Sequence, residues 1–182
     1  MPTAPTDLRH TDPLAWLIAC EEIRQLASRY ANAIDSRDLD ALVELFVPDV
    51  RVGRDGVGRE ALRADFDRQL RTIGVSILHV ANHVIDVADA DHATGAVSCR
   101  GEIQEGDRWI VQSIQYRDRY ERRDGRWLFV RRRHLLFYGA ELGQVPIGLA
   151  PANWPASSTG AGELPEHLPT WQTFWGDAPP PR

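Results

Sequence analysis

The sequence predicts an α+β fold, with helices first and an antiparallel sheet after them. Up to Gly74 the apolar residues recur at spacings of three and four, the period of a helix that buries one stripe. From Val75 to Tyr138, β-branched and aromatic residues alternate with polar ones between turn signals, the period of a strand. With 182 residues, 43% hydrophobic and 26% charged, the chain is long enough to bury the core of one domain.

The first helix lies in "DPLAWLIACEEIRQLASRYANAIDSRD", where Trp16, Cys20, Ile23, Ala27, Tyr30 and Ile34 form the stripe. Asp12 is placed to cap it and Pro13 to occupy its first turn. A second, short helix fits "DLDALVELF": Asp38 caps, Leu42, Leu45 and Phe46 bury, and Pro48 stops it. A third fits "REALRADFDRQLRTIG", with Leu62, Phe66, Leu70 and Ile73 on one side and Gly74 at its end.

Four strands follow. "ILHVANHVIDV" is the first, "ADADHA" the turn after it, and "TGAVSCRGEI" its partner. "EGD" then turns into "RWIVQSIQYRDRYER", and "RRDG" into "RWLFVRRRHLLFY". Strands this long twist and curl a sheet, and the helices are expected on its concave side. This domain spans residues 12–138. Residues 139–182 form an extension rich in proline, glycine and tryptophan. It reads either as a loosely ordered tail or as an arm that packs Trp154, Trp171, Phe174 and Trp175 on the domain or on a neighbouring subunit, and its aromatic content favours the arm.

Composition excludes several functions. A net charge of −5 and a pI of about 5.7 argue against a nucleic-acid surface, which needs a gathered basic excess. The run Arg131 to Arg133 reads as a solvated or salt-bridged rim, with Arg132 projecting opposite to its neighbours. The uncharged apolar runs fall short of the roughly 20 residues that cross a bilayer. Only Cys20 and Cys99 occur, both in apolar or strand-like segments, and no signal-peptide pattern opens the chain; a reducing, cytoplasmic setting is expected.

His79 and His83 are four apart. On a strand four residues span about 13 Å, too far to share one metal ion, and no other cluster has ligand spacing. Neither a metal nor another cofactor is expected. With regular alternation, His79, Ala81 and His83 share a face. A histidine there can carry a proton if a carboxylate orients it. Asp35, one turn beyond Tyr30 at the end of the first stripe, is such a carboxylate, or else a residue of the local turn in "IDSRD".

"RYANAIDSRDLDALVELFVPDV", "ILHVANHVI" and "YRDRYERRDGRWLFVRRR", in that order, resemble the nuclear transport factor 2-like superfamily, and within it the SnoaL-like polyketide cyclase branch with scytalone dehydratase, bile acid 7α-dehydratase and hexachlorocyclohexane dehydrochlorinase. The resemblance covers about Leu14 to Tyr138. It implies a cone-shaped α+β barrel: three N-terminal helices on a strongly curved antiparallel sheet around a deep apolar pocket. It also implies an aspartate–histidine dyad, matched by Asp35 and His79, with a tyrosine one turn earlier matched by Tyr30. Arg54 stands where the bile acid enzyme type has a tyrosine, and Leu136 where it has a late-strand arginine.

The expectation is therefore a cofactor-independent lyase, a dehydratase acting on a hydrophobic oxygenated ring compound of polyketide, terpenoid or steroid type. His79 would abstract the proton, Asp35 orient it, and Tyr30 bind the substrate oxygen. Arg54, His83, Tyr116, Arg132 and His134 are the candidate substrate-binding residues; His10, His92 and His167 read as loop residues. Isomerisation or cyclisation by the same dyad is the near alternative. A non-catalytic small-molecule-binding module and the small subunit of a ring-hydroxylating dioxygenase are the distant ones. A homodimer or homotrimer is expected, through the sheet face or the extension.

Overall fold

A computed structural model describes residues 8–153, 156, 160–162, 166, 168–178 and 180. Trp154 and His167 lie outside the described residues. The elements run in the expected order, with additions. A single helical turn, α1 (Leu8–Thr11), holds His10 and precedes α2 (Pro13–Ser36). Asp12 caps α2, accepting from Ala15 N at 3.0 Å. Cys20, Ile23, Ala27, Tyr30 and Ile34 are buried along its stripe. α3 (Leu39–Glu44) is capped by Asp38, which accepts from Ala41 N at 2.9 Å. A two-residue hairpin, β1 (Arg51–Val52) and β2 (Gly56–Val57), precedes α4 (Arg59–Leu70).

The sheet is an antiparallel meander in the order β3 (Ser76–Val87), β4 (His92–Glu105), β5 (Arg108–Arg123) and β6 (Arg126–Glu141). Asp124 and Gly125 make the β5–β6 turn with φ of 52° and 75°, the two positive values that a two-residue hairpin of matching twist needs. The first half of β6 is tied to the exit of α3: Phe129 N donates to Leu45 O at 2.9 Å and Val47 N to Phe129 O at 3.0 Å.

β3 corrects the sequence reading. Val80 pairs with Cys99 and the next paired residue, His83, with Val97, so Ala81 and Asn82 together oppose Ser98. One extra residue in a strand reverses the alternation beyond it. His79 and His83 therefore do not share a face. Leu78, Val80 and His83 face the helices; Leu78 Cδ2 lies 3.3 Å from the Cβ position of Gly101 and Ile114 Cδ1 3.2 Å from it, all on the concave side. His79 projects from the opposite face and is exposed.

Aromatic rings fill the middle of the concave face. Tyr30 of α2 packs edge-on against Phe46, Phe66, Tyr116 and Phe129, with centroids 5.9 to 6.4 Å apart. Toward the C-terminal end of β6 the cover runs out: Leu136, on the concave side by register with Ile114, is 52% exposed.

The extension folds back as an arm. After a 3₁₀ turn (Pro146–Gly148), α5 (Pro169–Trp175) buries Trp171, Phe174 and Trp175. Thr170 Oγ1 donates to Ser36 O at 2.8 Å, Arg71 Nη2 donates to Phe174 O at 3.0 Å, and the Arg71 guanidinium lies 4.5 Å from the Phe174 ring. It thus docks at the C-terminal ends of α2 and α4.

Candidate active site

Two groups of polar side chains are held inside this frame. The first sits where α2 ends against the start of β3. Arg37 takes the left-handed conformation that terminates α2, with φ of 58°, and is 2% exposed. Its Nη1 donates to Ile34 O and to Ser76 Oγ at 2.8 Å, and its Nη2 to Gly74 O. Ser76 Oγ donates in turn to Asp35 Oδ1 at 3.2 Å, and Leu78 N donates to Asp35 Oδ2 at 2.9 Å. Asp35 thereby satisfies an outward-pointing amide of the sheet's edge strand.

Burial raises the Asp35 carboxyl to about 6, against the hydrogen bonds from Leu78 and Ser76 and the charges of Arg37 and His79. His79 is close enough for its charge to be felt, yet among the described residues it forms no hydrogen bond. The expected Asp35–His79 hydrogen bond is absent, because the imidazole leaves from the other face of β3.

The second group is the one the concave face brings together. Arg132 holds Asp118 in a two-pronged ion pair, Nε to Oδ1 at 3.0 Å and Nη2 to Oδ2 at 2.7 Å, with side chains 4% and 0% exposed. Tyr120 donates its hydroxyl to Asp118 Oδ2 at 2.8 Å, and His83 Nε2 lies 3.1 Å from that hydroxyl oxygen. The guanidinium is sandwiched by Tyr30, Tyr116 and Phe129, 4.3 to 4.4 Å from each centroid. Burial works against the Arg132 charge, but the Asp118 contacts outweigh it and the arginine is held more firmly protonated than usual. Burial lowers His83 to about 4, so its ring is neutral, and raises Tyr30 to about 12.

A glycine makes the chain possible. A Cβ on Gly95 would lie 3.0 Å from the Tyr120 hydroxyl and 3.1 Å from Val84 O. Only a bare backbone there lets the Tyr120 ring cross β4 to reach His83 on β3.

Of the expected substrate-binding residues, His83, Tyr116 and Arg132 thus meet on the concave face with Tyr30. His134 joins their edge, its ring 5.6 Å from Tyr116; the residue is exposed, and what burial its ring has lowers its pKa. Arg54 is exposed in the β1–β2 turn, apart from them. Arg131 and Arg133 are exposed as expected, whereas Arg132 is interior rather than part of a solvated rim. His92 opens β4 and bonds Asp89 at 2.9 Å. Asp118 and Tyr120 were missed, though "YRDRY" carried a signal for them: its alternate residues Tyr116, Asp118 and Tyr120 share a face and put an acid on its apolar side. Gly95 and the bulge carried no such signal.

Two surface clefts of about 250 and 190 Å³ lie elsewhere. The larger runs between α3, α4 and the arm and is lined by paired charges such as Arg63 with Asp40 and Arg71 with Asp67. Among the described residues, no group of three or more His, Cys, Asp or Glu is gathered to hold a metal ion, and no helix is long and apolar enough to cross a membrane.

Residues 17–133, most of the chain, match the SnoaL-like domain family. The chain belongs to the SnoaL-like family. Solved structures agree on its fold. A type 2 hexachlorocyclohexane dehydrochlorinase is 24% identical, with a TM-score of 0.64 over 74% of this chain and 95% of its own. A candidate scytalone dehydratase from Novosphingobium aromaticivorans is 21% identical, with a TM-score of 0.62 over 75% and 98%. A Mycobacterium tuberculosis protein of unknown function is 26% identical, with a TM-score of 0.58 over 66% and 73%. A search of curated proteins yields no match. The SnoaL-like frame of this chain is the helix-covered curved sheet described above, and it sets the Arg132 guanidinium 4.4 Å from the Tyr30 ring.

Proposed function

We propose that the chain is a cofactor-independent lyase of the dehydratase kind, moving a proton on a hydrophobic oxygenated ring compound held against the concave face. Double-bond isomerisation or ring closure would draw on the same transfer. Two fold neighbours are named for eliminations, loss of hydrogen chloride in one and of water in the other. Each needs a base and a group that receives the leaving atom or its charge, and neither needs a change of oxidation state at the protein.

The observation that carries the proposal is Asp35. A carboxyl that burial raises to about 6 changes its protonation near neutral pH, the property a proton-handling group requires and a purely structural cap does not. In this reading Asp35 steadies His79 as the base and Tyr30 with Arg132 faces the substrate oxygen, although in the free chain His79 projects from the face of β3 opposite to the concave one. The start of β3 must then turn over when substrate is bound, bringing the His79 ring to Asp35 and the concave face. A chain of buried polar groups that is costly to keep on an apolar face supports an oxygenated ligand over a purely apolar one.

The test is a screen of hydroxylated ring ketones for loss of water, followed by His79→Ala and Asp35→Asn. Each should lower turnover by on the order of a hundredfold or more. Parent rates in both folded variants would move the non-catalytic binding module ahead.

A further inference from the structure

The alternation that sends Arg132 inward sends its neighbours outward. Arg131 and Arg133 leave the convex face of β6, and Arg117 and Arg119, which flank Asp118, leave the same face of β5. The register sets them side by side: Arg117 opposite Arg133 and Arg119 opposite Arg131, two facing pairs on rungs two residues apart. All four are exposed. Among the described residues none of them has an ion pair or a side-chain hydrogen bond. The acids of the same strands are engaged elsewhere, Asp118 with Arg132 on the concave side and Glu121 with Arg123. On β4 the adjoining residues are Ala96 and Thr94, and the next acid across the sheet, Asp86 of β3, is two strands from Arg119, about 10 Å.

Like charges directly opposite each other on a sheet are destabilising, so the fold does not call for this square. Charge on an edge strand blocks stray pairing, and Arg131 and Arg133 would supply that alone; β5 is an interior strand, between β4 and β6. Solubility does not call for it either, because the chain has a net charge of −5 and these cations bring it toward neutrality. We infer that this face docks an extended acidic segment of another protein, with carboxylates at alternate positions. Alternate side chains of an extended segment recur about every 7 Å, the spacing of the two arginine rungs, and each rung offers two guanidiniums to one carboxylate. A long polyanion or an anionic membrane would run past the two rungs onto a chain of net negative charge, whereas a short acidic stretch meets the arginines alone. A second copy set face to face would bring arginine against arginine. The docking is separate from the concave-face chemistry, since all four side chains point away from it.

The experiment adds the full chain to fluorescein-labelled Thr-Glu-Thr-Glu-Thr at low salt and reads anisotropy. The isomer Thr-Thr-Glu-Glu-Thr, the peptide Thr-Gln-Thr-Gln-Thr, a short DNA duplex and phosphatidylserine vesicles serve as comparisons. The alternating glutamate peptide should bind several-fold more tightly than its isomer, the glutamine peptide should not bind, and affinity should fall as salt rises. In the variant carrying Arg117→Gln, Arg119→Gln, Arg131→Gln and Arg133→Gln, affinity should fall about tenfold or more. Its urea midpoint should be unchanged or higher, because facing like charges have been removed. Equal binding of the two isomers, which needs no variant to measure, overturns the inference, and so does tighter binding of the duplex or the vesicles. A variant that binds as the parent does, or that is clearly less stable, overturns it as well. A parent dimer that the variant loses would assign the face to a second copy instead.

Discussion

Asp118 grips Arg132 through both carboxylate oxygens in a site where neither side chain reaches solvent. Removing one partner strands the other as a buried charge, while removing both does not. Arg132→Met should therefore lower the unfolding free energy by about 3–5 kcal/mol in urea titrations. Asp118→Leu in the same chain should recover part of that loss. A single variant as stable as the parent would show that the pair opens to water.

Gly95 makes a sharper test of the same chain, since its substitution adds one methyl and removes no polar group. An alanine Cβ would meet Tyr120 Oη at 3.0 Å, its Cε2 at 3.1 Å and Val84 O at 3.1 Å. The backbone oxygen cannot retreat easily, so the ring must. Gly95→Ala should cost about 1–3 kcal/mol, and its effect should overlap with that of Tyr120→Phe rather than add to it. Strict additivity in that double-mutant cycle would mean that Tyr120 does not depend on the gap.

The same residues show why part of the site was legible and part was not. Helix stripes and caps are local: Asp12, Asp38 and the row from Cys20 to Ile34 announce themselves within a few residues, and the structure uses them as such. "YRDRY" placed three residues on one face by simple alternation. The bulge at Ala81 and Asn82 has no local signature, because it is set by the register against β4; it put His79 and His83 on opposite faces. Gly95 reads as a weak strand residue until the ring that crosses it is known. Asp35 was found, but its partners Ser76 and Leu78 come from 41 and 43 residues away and could not be read from spacing.

Arg71 makes three contacts with the arm: a hydrogen bond to Phe174 O and stacks on the Phe174 and Trp175 rings. Arg71→Ala should release the arm while leaving the sheet and α2 intact. Trp171 and Trp175 would then become exposed, seen as a red shift in tryptophan emission and faster protease cleavage after residue 150. The loss should be about 1–2 kcal/mol. An unchanged emission spectrum would place the arm's anchor in its buried rings instead.

Leu136, Phe137 and Tyr138 are consecutive on β6 and each more than half exposed, so both faces of this strand end are apolar and uncovered. β6 is also an edge strand. Such an end tends to pair with another chain unless charge or proline blocks it. Light scattering at micromolar concentration should report a dimer or trimer, and Phe137→Glu should shift it toward the monomer. A parent chain that stays monomeric would show that the exposed end is tolerated by itself.

Asp35 and His83 titrate in the same pH window with opposite signs. Asp35 rises from 3.8 to about 6 on folding, so the folded chain binds more protons than the unfolded one between those values, and stability falls as pH rises through them. His83 drops from 6.5 to about 4, so the unfolded chain binds more protons there, and stability rises with pH over nearly the same range. In the parent the two slopes oppose each other, and urea midpoints between pH 4 and 6.5 should be flatter than in either variant. Asp35→Asn removes the falling contribution and should leave stability increasing toward neutral pH. His83→Leu removes the rising one and should leave stability greatest on the acid side. Identical pH profiles for the two variants would show that neither group titrates where its burial places it.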